Sequence, residues 1–301
     1  MTLPPDVVAR LRCPKCRGVL VAMSCAACKT TYPEVNGVPV LLDESSGMFR
    51  AADVKDGLTS SSGMRLGRFL PGLGKNFKAA SNYRKFGTLL PGKRVLVLGG
   101  RILGEGTESL VDQDLELVET DIALGPRTQL VCDAHALPFA DGSFDGVVAQ
   151  AVLEHVVDPA RCVSEIHRVL GRDGVVYAET PFMQQVHAGA YDFTRFTHRG
   201  HRRLFRAFDE IDSGAACGPG MALAWSFSYF LQSFARTSFQ RKLAQAAGAL
   251  TTFPLRYLDP LIIDRDGALD GASAIYFLGR RATTELSDAE LVKQYRGMDH
   301  R

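Results

Sequence analysis

The sequence predicts an α/β protein: an open, doubly wound, mostly parallel sheet preceded by a small module held by cysteines. Three observations predict it. From Lys93 onward, short runs rich in Val and Leu alternate with stretches of helical periodicity, the pattern of βαβ units. A glycine-rich loop follows the first of these runs. Two CxxC pairs, Cys13 with Cys16 and Cys25 with Cys28, stand well ahead of it.

With 301 residues, the chain has the length of about two ordinary domains. At 46% hydrophobic and 23% charged it can bury a sizeable core, and a net charge of only +2 excludes a broadly basic nucleic-acid binder. The start, MTLPPDVVARLR, lacks the basic, apolar and small-residue regions of a signal peptide, so the expected setting is the reducing cytoplasm. The most apolar stretch, 221–235, is shorter than the ~20 residues of a membrane span and contains Ser226, Ser228 and Gln232. Cys132, Cys162 and Cys217 lie in apolar surroundings and read as small buried side chains.

Eight residues separate the two CxxC pairs, which suits two knuckles converging on one tetrahedral ion. Four thiolates leave no open position, so zinc in a structural role is expected at Cys13, Cys16, Cys25 and Cys28. Asn36-Gly37 between apolar runs marks a hairpin beside the metal. In the larger part, 93–100 (KRVLVLGG) is the first strand and 101–112 a loop turning into helix. LELVETD ends in Asp121, 22 residues after Gly99, close to the ~20 that separate a nucleotide-binding glycine loop from the acid holding a ribose diol. Asp121 is therefore the expected ribose ligand, with Glu119 as the alternative on the same strand face. RTQLVCD and FDGVVAQ are the next strands. Asp158-Pro159 caps a helix carrying Val163, Ile166, Val169 and Leu170, with Gly171 closing it, and GVVYAETPF is the fifth strand.

The run 131–174, VCDAHALPFADGSFDGVVAQAVLEHVVDPARCVSEIHRVLGRDG, resembles the S-adenosylmethionine (SAM) dependent methyltransferases of class I, in particular the type 11 group. The resemblance implies a Rossmann-like, seven-stranded, doubly wound sheet whose last strand runs antiparallel, with FDEIDSG and GASAIYFLGRR as the final two strands. It implies SAM as cofactor, with Gly99, Gly100 and Gly104 at the methionine end. Asp133 and the Ala134 N–H would read the adenine, and Gln150 would border the cofactor. A helix cap is the plain alternative for Asp133. Two departures stand out: Val97 occupies the place of an acid usual in the first strand, and Arg101 falls where a glycine is expected.

The cysteine module, through LRCPKC, CAAC and YPEVNGVPVLL, resembles the zinc ribbon of the Trm112 type, whose members bind and stabilise methyltransferases. A protein partner through the ribbon is one expectation, a bare folding staple the other. Past the fifth strand, FMQQVHAGAYDFTRFT resembles a segment of several type 11 methyltransferases. It makes His187 the expected catalytic base and His155 the second candidate, with Tyr191, Asp192 and Arg195 on the substrate. Arg195 would hold a carboxylate or phosphate, or simply pair with Asp192.

These readings divide the chain into a zinc ribbon (1–45), a basic linker with a helical segment (46–90), a methyltransferase domain (91–283) with a helical insert or lid (221–265), and a tail (284–301). Arg199, Arg202, Arg203 and Arg206 read as a solvated helix face before an anion or RNA site. The linker cations and aromatics, Arg65, Arg68 and Phe69 among them, either meet a ligand or pack on the core. The aromatic insert is read as a substrate lid, with peripheral membrane contact as its rival. The expected activity is methylation of an oxygen on a small or glycan-type acceptor, anionic or lipid-linked. No Asp/Asn-Pro-Pro-Tyr loop follows the fourth strand, where the sequence has AQAV. The alternatives are a non-catalytic methyltransferase-like scaffold and an RNA or protein methyltransferase.

Overall fold

The computed structural model describes residues 2–54, 75–102 and 104–298. The N-terminal module holds a single-turn helix α1 (Pro5–Val8) and strands β1 (Leu20–Val21), β2 (Ser24–Cys25), β3 (Glu34–Val35) and β4 (Val38–Leu41). Next come α2 (Ala79–Leu89), β5 (Arg94–Leu98), α3 (Glu108–Val111), β6 (Glu116–Asp121), β7 (Leu130–Cys132), β8 (Phe144–Gln150), α4 (Pro159–Val169) and β9 (Leu170–Pro181). The chain then forms α5 (His198–Leu204), β10 (Phe208–Cys217), α6 (Pro219–Gln232), α7 (Ser238–Thr252), α8 (Asp259–Ile262), α9 (Asp266–Gly271), β11 (Ala274–Arg281) and α10 (Asp288–Lys293).

The seven expected strands are all present, in the order β10-β11-β9-β8-β5-β6-β7, and β11 runs antiparallel to both of its neighbours. The sheet does not stop there: β4 adds to β7 in parallel and β3 follows, giving nine strands. Asn36 and Gly37, at φ 52° and 76°, make the left-handed two-residue turn that joins β3 to β4. Their hairpin extends the main sheet instead of standing apart beside the metal.

Alternation along the strands sorts the side chains onto two faces. Leu96 and Leu98 join Val147, Ala149, Val176 and Phe277 in the larger core under α4 and α5, and Val7, Leu11, Cys13, Cys25 and Tyr32 of the module belong to that same core. Val95, Val97, Val148 and Tyr177 face the other way, against Tyr83 and Phe86 of α2. Backbone bonds from Arg12 N–H to Pro138 O and from Ala140 N–H to Arg10 O, both 2.9 Å, fasten the module to the loop after β7. Buried Glu165 completes the joint, accepting from Arg17, Arg168 and the Leu137 N–H.

Several local expectations change in three dimensions. Asp158 caps α4 through the Arg161 N–H at 3.0 Å, but Gly171 does not close the helix. Leu170 already pairs with Phe144, so β9 starts four residues earlier than the sequence pattern places it. Arg202 is 4% exposed and bonds Glu210 of β10 at 2.9 Å, while Arg203, its side chain 62% exposed, and Arg206, just after α5, pair with Asp288 of α10, so the cluster is partly solvated and partly braces its neighbours. Of the linker, Tyr83 and Phe86 are core and Lys78 and Lys85 pair with Asp264 and Asp212. Arg65, Arg68 and Phe69 lie outside the described residues.

Burial pushes His198 down to about 4 and His201 down to about 3. Both ordinarily titrate near 6.5 when unfolded, so below that pH the unfolded chain binds more protons than the folded one. Their contribution is complete above pH ~6.5 and is lost as the pH falls through the folded values. Urea unfolding between pH 7 and 4 should therefore show a stability slope that is shallower in His201→Leu by up to about 1.4 kcal/mol per pH unit. Identical slopes in the two proteins would show that His201 does not titrate on unfolding.

Candidate active site

The carboxyl ends of β5, β6, β7, β8 and β9 open onto one cavity of about 670 Å³, the edge where open α/β sheets bind ligands. It is lined by Gly99, Gly100, Gly104, Asp121, Asp133, Ala134, Gln150, His155 and His187, so the structure brings the expected cofactor residues and both histidines together. Met221 and Trp225 of α6 form part of its wall. The helical insert begins at Pro219, and Tyr229 Oη donates to Val186 O at 2.8 Å, tying α6 to the loop that carries His187.

At the glycine loop, Gly99 sits at φ +69°, and an added Cβ would lie 2.7 Å from Val152 Cγ2. Thr107 Oγ1 closes the loop on Gly104 O at 2.7 Å, and Gly104 abuts the Gln150 amide oxygen. Arg101 stacks its side chain on Gly125 while its N–H meets Asp121 Oδ2 at 3.3 Å, so the unexpected arginine leaves the loop edge to backbone. The helix after the loop is a single turn, α3, too short to supply the macrodipole expected of a full helix. Gly99→Ala forces an L-residue into the left-handed region and against Val152, and binding of S-adenosylhomocysteine (SAH) should weaken by about tenfold, ~1.4 kcal/mol. Calorimetric titration checks this; unchanged affinity would remove the loop from the cofactor site.

Both candidate acids on β6 line the cavity, and Glu119 is tied to Arg127 at 2.7 Å. Asp121 stands at the strand end, and its oxygens accept the backbone N–H groups of Arg101, at 3.3 Å, and Ala123, at 3.0 Å. Burial raises its carboxyl above the ordinary value. Asp133 does cap the next turn: its Oδ1 accepts from the His135 N–H at 2.9 Å and contacts the ring Nδ1 at 2.6 Å. Burial alone would raise this acid, but the bonds from His135 take it below the ordinary carboxylate value.

Sequence reasoning missed two buried acids. Glu179, at the end of β9, gathers Gln150 Nε2 at 2.9 Å, Asn76 Nδ2 at 2.7 Å and the Tyr177 hydroxyl. Burial raises it too. Glu154 follows β8, its side chain 1% exposed, and neither oxygen has a hydrogen-bond partner among the described residues. Desolvation pushes its carboxyl up to about 8. Its Oε1 faces His155 Nε2 at 3.6 Å and His187 Nε2 at 3.9 Å, and those two nitrogens are 3.2 Å apart. The legible signal was an acid flanked by apolar residues in AVLEHV and in VVYAETP.

The expected substrate residues are arranged otherwise. Asp192 and Arg195 pair with each other, and Arg195 also donates to Gln184 O at 2.9 Å and Gln185 O at 3.2 Å. The Arg195 bond holds the Asp192 carboxyl well below the usual range. Asp192 in turn accepts the His187 N–H at 2.9 Å, and Tyr191 offers its carbonyl to His155 Nδ1 at 2.8 Å. None of the three lines the main cavity, so they brace the two histidines where an acceptor contact was expected. Burial moves His155 below its ordinary value.

At the N-terminal module, Cys13 and Cys28 sulfurs are 3.5 Å apart, as are those of Cys16 and Cys25, and all four lie within 4.8 Å of one another. A tetrahedron with Zn–S of ~2.3 Å has edges of about 3.8 Å, so the donor set fits one ion. Left-handed residues Arg17 and Lys29 turn the two knuckles.

Residues 94–178 match the family model Methyltransf_11, a methyltransferase domain. Match and fold together give residues 94–178 a methyltransferase domain of this family, carried on a Rossmann-like sheet. The chain is 36% identical over 101 residues to the demethylmenaquinone methyltransferase of Renibacterium salmoninarum, covering 30% of this chain and 42% of that one. It is 48% identical over 44 residues to a ubiquinone/menaquinone biosynthesis C-methyltransferase of Geotalea uraniireducens, covering 15% and 19%. The chain thus spans less than half the length of either relative. Among solved structures, a complex of the Haloferax volcanii Trm112 methyltransferase activator with a methyltransferase matches at 18% identity and a TM-score of 0.39, over 69% of this chain and 90% of that one. No described helix is long and apolar enough to cross a membrane.

Proposed function

We propose that the protein is a SAM-dependent methyltransferase acting on an oxygen of a small acceptor with an apolar part. The observation that carries this is the single cavity joining the glycine loop, Asp121 and Asp133 to the Glu154, His155 and His187 cluster. SAM supplies an electrophilic methyl group on a sulfonium, transferred by in-line displacement. The chain's task is then orientation, exclusion of water and removal of the acceptor's proton. Asp121 accepts from the ribose hydroxyls, Asp133 and the Ala134 N–H meet the adenine, and Gly99, Gly100 and Gly104 admit the methionine chain. Gln150 is fixed between Glu105 O and Glu179, and Glu179 offers the buried carboxylate that Val97 does not. At the acceptor, His187 takes the proton, with His155 and Glu154 beside it.

Two features support an apolar acceptor. The relatives above are named for quinone biosynthesis, and α6 and α7 expose Phe230, Phe234, Phe239 and Leu243 near Arg241 and Lys242, which suits peripheral contact with lipid. The four cysteines hold structural zinc, and free thiolates at this spacing need a reducing setting such as the cytoplasm. Labelled SAM incubated with the zinc-loaded protein and fractions of a cell extract, followed by mass spectrometry, is expected to yield a methylated lipid-like molecule. Label appearing only in RNA or protein fractions would overturn the acceptor class.

A further inference from the structure

We propose that Glu154, His155 and His187 form a second metal site, open to the cavity, that takes a divalent transition-metal ion of the zinc type. Its role at the acceptor rests on the methyltransferase function proposed above, but its existence does not. The ligand atoms, Glu154 Oε1 and the two Nε2, stand 3.2, 3.6 and 3.9 Å apart. Nitrogen and oxygen ligands about 2.1 Å from a tetrahedral ion are about 3.4 Å from one another, so the triangle already has the size of a coordination face.

Three further observations point to a cation there. Both oxygens of Glu154 are buried without a hydrogen-bond partner, an expensive state for a carboxyl group unless a ligand completes it. Arg195, whose Nη2 stands 3.5 Å from His187 Nδ1, is committed to Asp192 and to backbone carbonyls. His155 Nδ1 meets Tyr191 O at 2.8 Å; a carbonyl only accepts, so Nδ1 carries the proton and the Nε2 lone pair points to the cluster. That second bond is how metal-ligating imidazoles are commonly oriented. Asp192 holds His187 through its backbone N–H at 2.9 Å, and the ring Nδ1 stands 3.4 Å from Gln185 O and 3.5 Å from Arg195 Nη2. Binding an ion requires both Nε2 lone pairs, so a proton shared across the 3.2 Å between the two nitrogens leaves when the ion enters.

Two imidazoles and one carboxylate select zinc, iron, manganese or cobalt over calcium and magnesium, which want oxygen donors. All three residues line the cavity, so a remaining coordination position faces the acceptor. With the ion in place His187 is a ligand and no longer the base: an acceptor hydroxyl bound there becomes more acidic and passes its proton to water. Its electron pair then forms the O–C bond as the methyl C–S bond breaks, with no oxidant or reductant involved.

Metal stoichiometry and cobalt(II) spectra test the site. The full chain is expected to hold two equivalents. The first gives the intense sulfur-to-cobalt charge-transfer band of the four cysteines, and the second gives weaker ligand-field bands without sulfur character. In Glu154→Gln and in the His155→Ala/His187→Ala double variant the second set should vanish or need at least tenfold more cobalt. The thiolate band, which reports a folded module, should stay. One equivalent in the wild-type protein, or ligand-field bands untouched by these substitutions, overturns the proposal. SAH titration of the same samples separates the two ideas: a second cobalt without SAH binding keeps the metal site and removes its role in methyl transfer.

Discussion

Replacing His187 by alanine is expected to lower methyl transfer by roughly 10²- to 10⁴-fold while SAH affinity changes by less than about twofold. The split follows from where the side chain sits. His187 lines the cavity beside Glu154 and His155, while its backbone N–H is held by Asp192, itself clamped by Arg195. Nothing in that arrangement touches Asp121 or the glycine loop, so the loss should fall on turnover with the acceptor. Initial rates with saturating SAM, paired with calorimetry on the same samples, check it. A variant whose rate and SAH affinity fall together would mean that His187 serves the cofactor pocket, and an unchanged rate would remove it from the acceptor chemistry.

Replacing Cys13 by serine is expected to release the bound zinc and to cost about 3–5 kcal/mol of stability, roughly 10 °C in Tm for a chain of this size. The cost exceeds that of a detached bead because Cys13 and Cys25 are fully buried in the core that also holds Leu96, Phe139 and Cys162. Leu11 bridges to Phe139, and β4 pairs with β7, whose end carries Asp133 and Ala134. Loss of the ion should therefore weaken SAH binding as well as lower the Tm. Scanning calorimetry with metal analysis decides this, and a zinc-free protein with unchanged Tm and SAH affinity would mean that the module is energetically separate from the sheet.

The parallel core was legible because its strands are short β-branched runs with turn residues at their ends, and β5 to β9 fall where those runs lie, with β9 beginning four residues early. The Asn36-Gly37 turn was an equally local signal and appears as expected. What sequence could not give is pairing between distant segments. Nothing in VPVLL says that β4 will add to the edge of a sheet some ninety residues further on. The α5 arginines read as a solvated face because their partners, Glu210, Glu285 and Asp288, lie on other elements. The same blindness hid the site's chemistry: Glu154 and Glu179 are single acids in apolar runs, and only the closing of β8 against β9 shows that both face the ligand edge. For Arg195 the sequence left an anion on the substrate and a pair with Asp192 both open, and the loop takes the second, with the carbonyls beside His187 as further acceptors.

The measurement that bears most directly on the account is titration of SAH into the zinc-loaded full chain. The irregular loop from Gly99 to Gly106, with Val97 in place of an acid and Arg101 folded on Gly125, must still admit the methionine end. One equivalent of SAH bound with a Kd in the micromolar range, weakened by Gly99→Ala and by Asp121→Ala, is the predicted result. No detectable binding to a zinc-replete, folded protein would contradict it, leaving a methyltransferase-like scaffold without the reaction.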